Sequence, residues 1–424
     1  MPHHVKSQAL SHLRICDFTG QLAGAGATKF MAAFGAEVIR IEDPSNHGRW
    51  DILRGMPPYV DDRRGPELGG PFNNHNVGKL GITLNIKTEK GRELFERLVA
   101  ISDCVTENFS SGVMRSWGYD YDSLRQIKED IIYVSNCGFG HSGPYEKFKT
   151  WGPIVQATSG LTMSSAIPDQ PPAGWGYSYM DHTGAYFMAM AIMLAIHHRN
   201  RTGEGQYVDV AATEAALTLN GPVLLDYTVN GRPLRRDGYP DANHSQHPAM
   251  APHNIYAAKP IPGSFDEAWI AIACRDDADW HAMRDVLVAD GCEWAANDDY
   301  GQLAGRLAAQ DELDANIAAW CLRRDPFQSA EILREAGVPA NAVQTPEQRI
   351  DQDVNSAEAR LWPTIRQAEM GRVRVDGIPA HFTKTDWSMT RGAAVLGEDN
   401  DYVYGELLGL SQSEIAGLYE EGVL

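Results

Sequence analysis

Along the first 110 positions, apolar residues fall in short runs separated by stretches with helical spacing. The order this predicts is strand, helix, strand, then helix and strand again. Leu13–Phe18 reads as a strand that ends in a Gly-rich turn, Ala27–Phe34 as a helix with Gly35 at its C-cap, and Val38–Glu42 as the second strand. Leu80–Ile86 is a further strand. Thr88 then opens an amphipathic helix in which Leu94, Leu98 and Val99 share a face, followed by the strand Asp103–Thr106. Such alternation builds a parallel sheet covered by helices, an α/β fold.

Further on, Ile131–Asn136 is a strand that leads into a Gly- and Pro-containing loop, Gly138–Pro144. The stretch Ser159–Gly176 is small, polar and Pro-rich, the kind of long loop that lines a site. Residues 184–199 form a helix that is apolar nearly all round and is expected to be buried. It stops before the turn Arg201–Gln206 and the strand Tyr207–Val210. The polar segment Asn230–Pro252 marks a domain boundary. Past it, the strand Trp269–Cys274 and the helix Asp277–Leu287 open a smaller α+β unit that reaches about residue 340. The tail, from about 345 to 424, holds few strands and ends in a helix over Ser411–Leu418. The expected layout is therefore 1–229, 230–340 and 341–424, the last segment returning to the first.

A chain of 424 residues with 43% hydrophobic and 22% charged side chains has ample material for such cores, which excludes collagen, coiled coil and wholesale disorder. With 37 basic against 56 acidic side chains the net charge is −19, which repels polyanions and argues against nucleic acid or an anionic membrane as the main partner. An anionic small ligand then needs a local basic pocket. The six cysteines form no C-x-x-C pair, and the longest apolar run, Ala185–Ile196, is too short to span a bilayer. With no secretory pattern at Met1-Pro2-His3-His4, a soluble cytoplasmic protein with reduced core thiols is expected.

Strand Leu13–Phe18, then Gly20, Gly24 and Gly26, a helix, a second strand and the pair Glu42-Asp43 look like a dinucleotide fingerprint. Counting from Gly24-Ala25-Gly26, however, the third glycine position holds Lys29. The glycines therefore read first as packing positions that let a helix sit tightly behind a strand, with approach of a phosphate-bearing ligand to the same helix start as the alternative.

Several separated segments resemble the class III CoA-transferases, the family of formyl-CoA transferase and α-methylacyl-CoA racemase. They include Asp17-Phe18-Thr19, Phe34-Gly35-Ala36-Glu37-Val38, Lys79-x-x-Ile82-x-Leu84-Asn85, Glu107-Asn108-Phe109-Ser110 and Gly138-Phe139-Gly140-x-x-Gly143-Pro144. Thr202-Gly203-x-Gly205-Gln206, Ala251-Pro252-His253-x-x-Tyr256, Ala336-Gly337-Val338-Pro339 and Leu396-Gly397-Glu398 continue the match in the family's order. The resemblance implies a large domain with a parallel sheet and Rossmann-like helices built from both chain ends, a smaller α+β domain, and two subunits interlocked as rings. It also implies transfer of CoA from an acyl-CoA to a carboxylic acid, with coenzyme A as substrate and no cofactor held permanently.

Aligned back from Thr202-Gly203, the family's reacting aspartate falls on Asp181, at the expected N-cap of the buried helix. There the helix dipole favours the ionised form and desolvation opposes it. The bland alternative is a carboxylate that only caps. CoA-binding positions that carry over are Gln21, Leu22, Ala23, Arg40, Lys79, Asn108, Phe109 and Lys149. Two departures stand against the pattern: Asp43 replaces an arginine on the adenine side, and Ser116-Trp117 replace an Arg-Met pair, with Arg115 offering the charge one position earlier. Gly138, Gly140 and Gly143 are candidate oxyanion donors.

The racemase branch uses a histidine where this chain has Trp151, so an acyl-CoA racemase is the weaker reading. Gly152 stands where some transferases carry an acid, which suggests a roomier or more apolar acyl site that Trp151, Trp175, Tyr177 and Tyr179 are available to line. The segments Tyr179–Gly184 and Leu225–Arg232 look most like the subgroup acting on succinate-type donors and bulkier dicarboxylates such as benzylsuccinate. In that case succinyl-CoA is the donor, and Arg232, Arg235 or Arg236 meets the free carboxylate. Some members of the subgroup pair two related subunits, so a heterodimer, or a non-catalytic partner subunit, is a further alternative to an interlocked homodimer. No His or Cys cluster has metal-ligand spacing.

Overall fold

A computed structural model describes residues 8–165, 170–235, 243–261 and 267–424. The chain divides into two compact units, one of residues 1–163, 174–221 and 354–424, the other of 164–173 and 222–353. The switches fall at 221 and 353, where the sequence pattern suggests 230 and 340.

The first unit holds six strands: β1 (Arg14–Asp17), β2 (Glu37–Glu42), β3 (Leu80–Thr83), β4 (Cys104–Glu107), β5 (Ile132–Cys137) and β6 (Tyr207–Ala211). All pair in parallel, in the order β3-β2-β1-β4-β5-β6. Successive side chains of a strand point to opposite faces, so each strand feeds two cores. Ile39, Ile41 and Tyr133 join a cluster with Phe95, Leu98 and the C-terminal Val403, Tyr404, Ile415 and Leu418. Ile15, Val38, Ile132 and Val134 join the opposite cluster, with Met188 and Ile192. The tail is stitched on by the Tyr404 hydroxyl, which donates to the Thr83 carbonyl at 2.7 Å, and by the Asn85 N–H, which donates to the Val423 carbonyl at 2.7 Å.

Two elements differ instructively from the pattern. β3 ends at Thr83 rather than Ile86 because the Asn85 side chain accepts from the Lys87 N–H and turns the chain. The long helix runs Tyr179–Thr202, starting a turn earlier than expected and ending at Gly203 in the left-handed region. It is also not buried all round: Met188 and Ile192 face the core, whereas Tyr186, Met190 and Leu194 are 57%, 51% and 69% exposed.

The glycines after β1 serve packing. A Cβ on Gly26 would lie 3.1 Å from the Ala185 Cβ, so the glycine lets the helix Ala25–Ala33 approach the long helix. Lys29, at the missing third glycine position, is buried and paired with Asp376 at 3.0 Å. Glu42, the acidic residue after β2, is buried against Arg54 at 2.7 Å and presents nothing to a ribose.

In the second unit, strands His253–Ala258, Ala268–Ala273 and Ala340–Ala342 form an antiparallel sheet. Trp280, Leu313, Trp320 and Leu333, from the helices 277–289, 310–321 and 326–335, pack on it. Among the described residues no helix is long and apolar enough to cross a membrane.

Candidate active site

In a parallel sheet whose strand order reverses between β1 and β4, the loops at the carboxyl ends diverge and leave a crevice. A cavity of about 330 Å³ occupies that place. Gln21 and Ala23 after β1, Asn108 and Phe109 after β4, and Asn136 to Gly138 at the end of β5 line it, with Phe148 to Trp151 and Asp181.

Asp181 is not the N-cap. Ser178 holds that position without a side-chain capping bond, and Asp181 sits third in the first turn. The extra turn that the hydrophobic pattern missed is what carries its carboxylate to the cavity wall. Burial pushes the Asp181 carboxyl up to about 6, opposed only by a hydrogen bond with Ser178. It is therefore about nine-tenths ionised at pH 7 yet poorly solvated, the state that favours a nucleophile over a spectator. Gly152 presses on it: a Cβ there would lie 2.7 Å from the Ser178 Cβ and 3.0 Å from the Asp181 Oδ2. The missing side chain is thus filled by close approach of the helix Gly152–Thr158, which corrects the expectation of extra acyl room at this point.

The loop after β1 is held from three sides. Asn108 clamps Gly20 with two bonds, accepting from its N–H at 2.7 Å and donating to its carbonyl at 3.0 Å. Asn136 Nδ2 donates to the Ala23 carbonyl at 3.2 Å. Asp51 accepts from the Gln21 N–H at 3.1 Å and is paired with Arg40 at 2.7 Å. Held this way, Gln21 keeps a φ of 55°, a left-handed conformation uncommon outside glycine.

Six of the ten catalytic and CoA-binding candidates from the sequence therefore meet at one cavity: Gln21, Ala23, Asn108, Phe109, Lys149 and Asp181. Four do not line it. Leu22 is buried with Leu53 and Phe72. Arg40 is 2% exposed and bonded to Asp51, Asn76 and the Thr19 carbonyl. Lys79 is 1% exposed and paired with Asp17 at 3.2 Å. These two cations are interior struts, because a buried charge must be paired and each already is. Arg115 is exposed on the short helix Val113–Ser116.

Of the candidate oxyanion glycines, Gly138 lines the cavity and Gly140 and Gly143 do not. Trp151 lines it, whereas Trp175, Tyr177 and Tyr179 are exposed outside it. In the second unit Arg232 is paired with Asp226 at 3.5 Å and Arg235 is exposed; Arg236 lies outside the described residues, as does the N-terminal Met1–His4. All six cysteines are free thiols; five are buried, and Cys137 lines the cavity half-buried. Among the described residues no histidine lines the cavity. Among the described residues no group of three His, Cys, Asp or Glu is placed to hold a metal ion.

Sequence reasoning missed Trp50, Asn136 and Phe148. Trp50 sits in a loop without periodicity, and Asn136 looks like one more strand residue. Trp50 and Phe109, with ring centroids 5.4 Å apart, also border a second cavity of about 200 Å³. Phe18, Ile86 and Trp117 make it apolar, with Lys87 and Asp43, paired at 3.0 Å, in its wall.

The chain matches the model of CoA-transferase family III over residues 10–400. It is 29% identical over 417 residues to the succinyl-CoA–D-citramalate CoA-transferase of Chloroflexus aurantiacus, covering 98% of each chain. Its identity to the succinyl-CoA:mesaconate CoA-transferase of Haloarcula marismortui is 31% over 381 residues, 89% of this chain and 91% of the other. A crystal structure of a CAIB/BAIF family protein from Brucella suis superposes with a TM-score of 0.81 at 26% identity, covering 95% of this chain and 100% of that one. The chain belongs to CoA-transferase family III and is a CoA-transferase.

Proposed function

We propose that this protein moves CoA from succinyl-CoA to a second carboxylic acid, with Asp181 as the nucleophile. The carrying observation is an aspartate in the cavity wall whose carboxyl is pushed up to about 6 by burial, with only a hydrogen bond from Ser178 to offset it. The Asp181 carboxylate attacks the thioester carbonyl and expels CoA thiolate, leaving a mixed anhydride. The thiolate then attacks the aspartyl carbonyl, releasing the donor acid and forming an aspartyl-CoA thioester. The acceptor carboxylate reverses both steps and regenerates Asp181. The donor assignment follows the relatives, two of which are named for succinyl-CoA.

The two adjoining cavities suit the two ends of CoA. The apolar slot of Phe18, Phe109 and Trp117 accepts a flat base, Lys87 and Lys149 meet phosphates, and Gln21, Ala23 and Asn108 flank the arm on its way to Asp181. Arg40 and Lys79 support that wall from inside. With Trp151 in the wall and no histidine there among the described residues, a two-base racemase is disfavoured. The exposed Tyr186, Met190 and Leu194 on the long helix fit a face covered by a second subunit, as in an interlocked homodimer, or in a heterodimer with a related chain. The free thiols fit a cytoplasmic protein.

The test is incubation with succinyl-CoA and hydroxylamine, with peptide mass spectrometry. An aspartyl hydroxamate at Asp181 is the expected product; CoA exchange by the purified chain with Asp181 unmodified refutes the nucleophile. Size-exclusion with light scattering reads the oligomer, and activity of the chain alone excludes an inert partner subunit.

A further inference from the structure

Asn136, the penultimate residue of β5, lies in the cavity wall with only 1% of its surface exposed. Its Nδ2 donates to the Ala23 carbonyl at 3.2 Å. A carbonyl only accepts, so this contact fixes which end of the amide is which. The other end, Oδ1, is buried with no hydrogen-bond partner. Buried acceptors are nearly always met, and Asn136 is a residue of the cavity wall, so the partner for this one is sought in what enters the cavity. Its position is close to the chemistry. A Cβ on Gly184 would lie 3.5 and 3.7 Å from the two amide atoms, so the amide faces the first turns of the helix that carries Asp181.

We propose that Asn136 is a specificity-determining residue whose free carboxamide oxygen accepts a hydrogen bond from an O–H or N–H of the substrate held against Asp181. This rests on the CoA-transfer reading above. The chemistry selects its ligand by sign. An acceptor repels a second carboxylate and leaves a bare methylene unanswered, but it rewards a hydroxyl on the acyl group or an amide N–H of the CoA arm. A buried polar group left unpaired penalises the analogue that lacks the donor, and one neutral hydrogen bond corresponds to about tenfold in selectivity.

The experiment uses the full chain with succinyl-CoA and two acceptor pairs that differ by one hydroxyl, citramalate against methylsuccinate and 2-hydroxyglutarate against glutarate. Wild-type protein and Asn136→Leu are compared by the ratio of kcat/KM within each pair, which cancels any general effect of loosening the Ala23 contact. If the donor lies on the acyl group, wild type favours the hydroxylated acid about tenfold and Asn136→Leu brings the ratio near one. If it lies on the CoA arm, the ratios stay put and the KM for succinyl-CoA rises about tenfold with every acceptor. Ratios and KM both unchanged within twofold, or a fall in kcat alone that is equal for all acids, overturns the proposal. Asn136→Ser withdraws the acceptor while keeping polarity, and repeats the measurement should Asn136→Leu fail to fold. Failure of the wild-type chain to transfer CoA to any acid would instead sink the underlying reading, an outcome visible before any variant is made.

Discussion

Replacing Asp181 by asparagine should abolish transfer and stabilise the protein. Burial raises the carboxyl from an ordinary 3.8 to about 6, a shift of about 2 units. At about 1.4 kcal/mol per unit, ionising it in the folded state costs roughly 3 kcal/mol, reduced toward 2 by the water that still reaches a partly open site. The direction with pH follows from proton counts. Between about pH 4 and 6 the folded protein holds a proton on Asp181 that the unfolded chain has lost, so this carboxyl lowers stability as pH rises through that window. Below pH 4 both states are protonated and the cost vanishes. Asp181→Asn removes an ionisable group of nearly equal shape, so its advantage in urea unfolding should be about 2–3 kcal/mol at pH 8 and near zero at pH 4. A carboxylate that only complements the helix dipole from the first turn predicts the opposite sign, since asparagine forfeits the charge and would lower stability at pH 8. Equal or lower stability of Asp181→Asn at pH 8, or a gain that does not shrink on acidification, refutes the reasoning. In the wild-type protein, the rate of aspartyl labelling by acyl-CoA should rise with pH and level off above about 6.

Three further outcomes follow from the geometry. Gly152→Ala places a methyl 2.7 Å from the Ser178 Cβ and 3.0 Å from the Asp181 Oδ2, so kcat should fall at least tenfold with a stability loss of about 1–3 kcal/mol, read by turnover and urea unfolding. Lys79→Met strands the buried Asp17 carboxylate and should cost about 3–5 kcal/mol; Asp17→Asn with Lys79→Met should recover part of it in a double-mutant cycle, which a ligand-binding role for Lys79 would not produce. Lys149→Ala, at an exposed cavity residue, should raise the KM for acyl-CoA several-fold, flatten its dependence on salt, and leave unfolding unchanged.

The sheet was legible because its strands are short apolar runs bounded by glycine and polar turns, and burial on both faces leaves that signature plain. Five of the six strands fall within about two residues of the pattern; Leu80–Ile86 overruns because Asn85 breaks the strand through a side-chain turn that hydropathy does not register. The long helix was found but its start was misjudged. Tyr179 to Thr183 are polar enough to read as loop, yet they form a rigid first turn that holds Asp181 in the cavity wall. Its outer face is as apolar as its inner one, and a hydrophobic count has no means of telling a core from a face left open in the single chain. Asp181, Asn108 and Lys149 were legible through the resemblance. Asn136 was not, because what distinguishes it is an oxygen without a partner, a property of three dimensions.

The charges carry the sharpest lesson. A chain at −19 needs local cations for an anionic ligand, and the sequence makes Arg40 and Lys79 look like that supply. Whether a lysine meets a phosphate or a carboxylate depends on what the fold brings beside it, and Lys79 meets Asp17, 62 positions away. The same holds for Arg40 with Asp51, Arg54 with Glu42 and Lys29 with Asp376. Four cations are thus paired in the interior, and one of the pairs, Arg40 with Asp51, also holds the Gln21 N–H. A cation spent on Asp17 or Asp51 is not beside Asp181, whose carboxyl is lifted by burial with no counter-charge to pull it back. Had one of them lain beside Asp181, it would have held the carboxyl low. Pairing the interior cations and leaving Asp181 without a counter-charge are therefore two consequences of one arrangement.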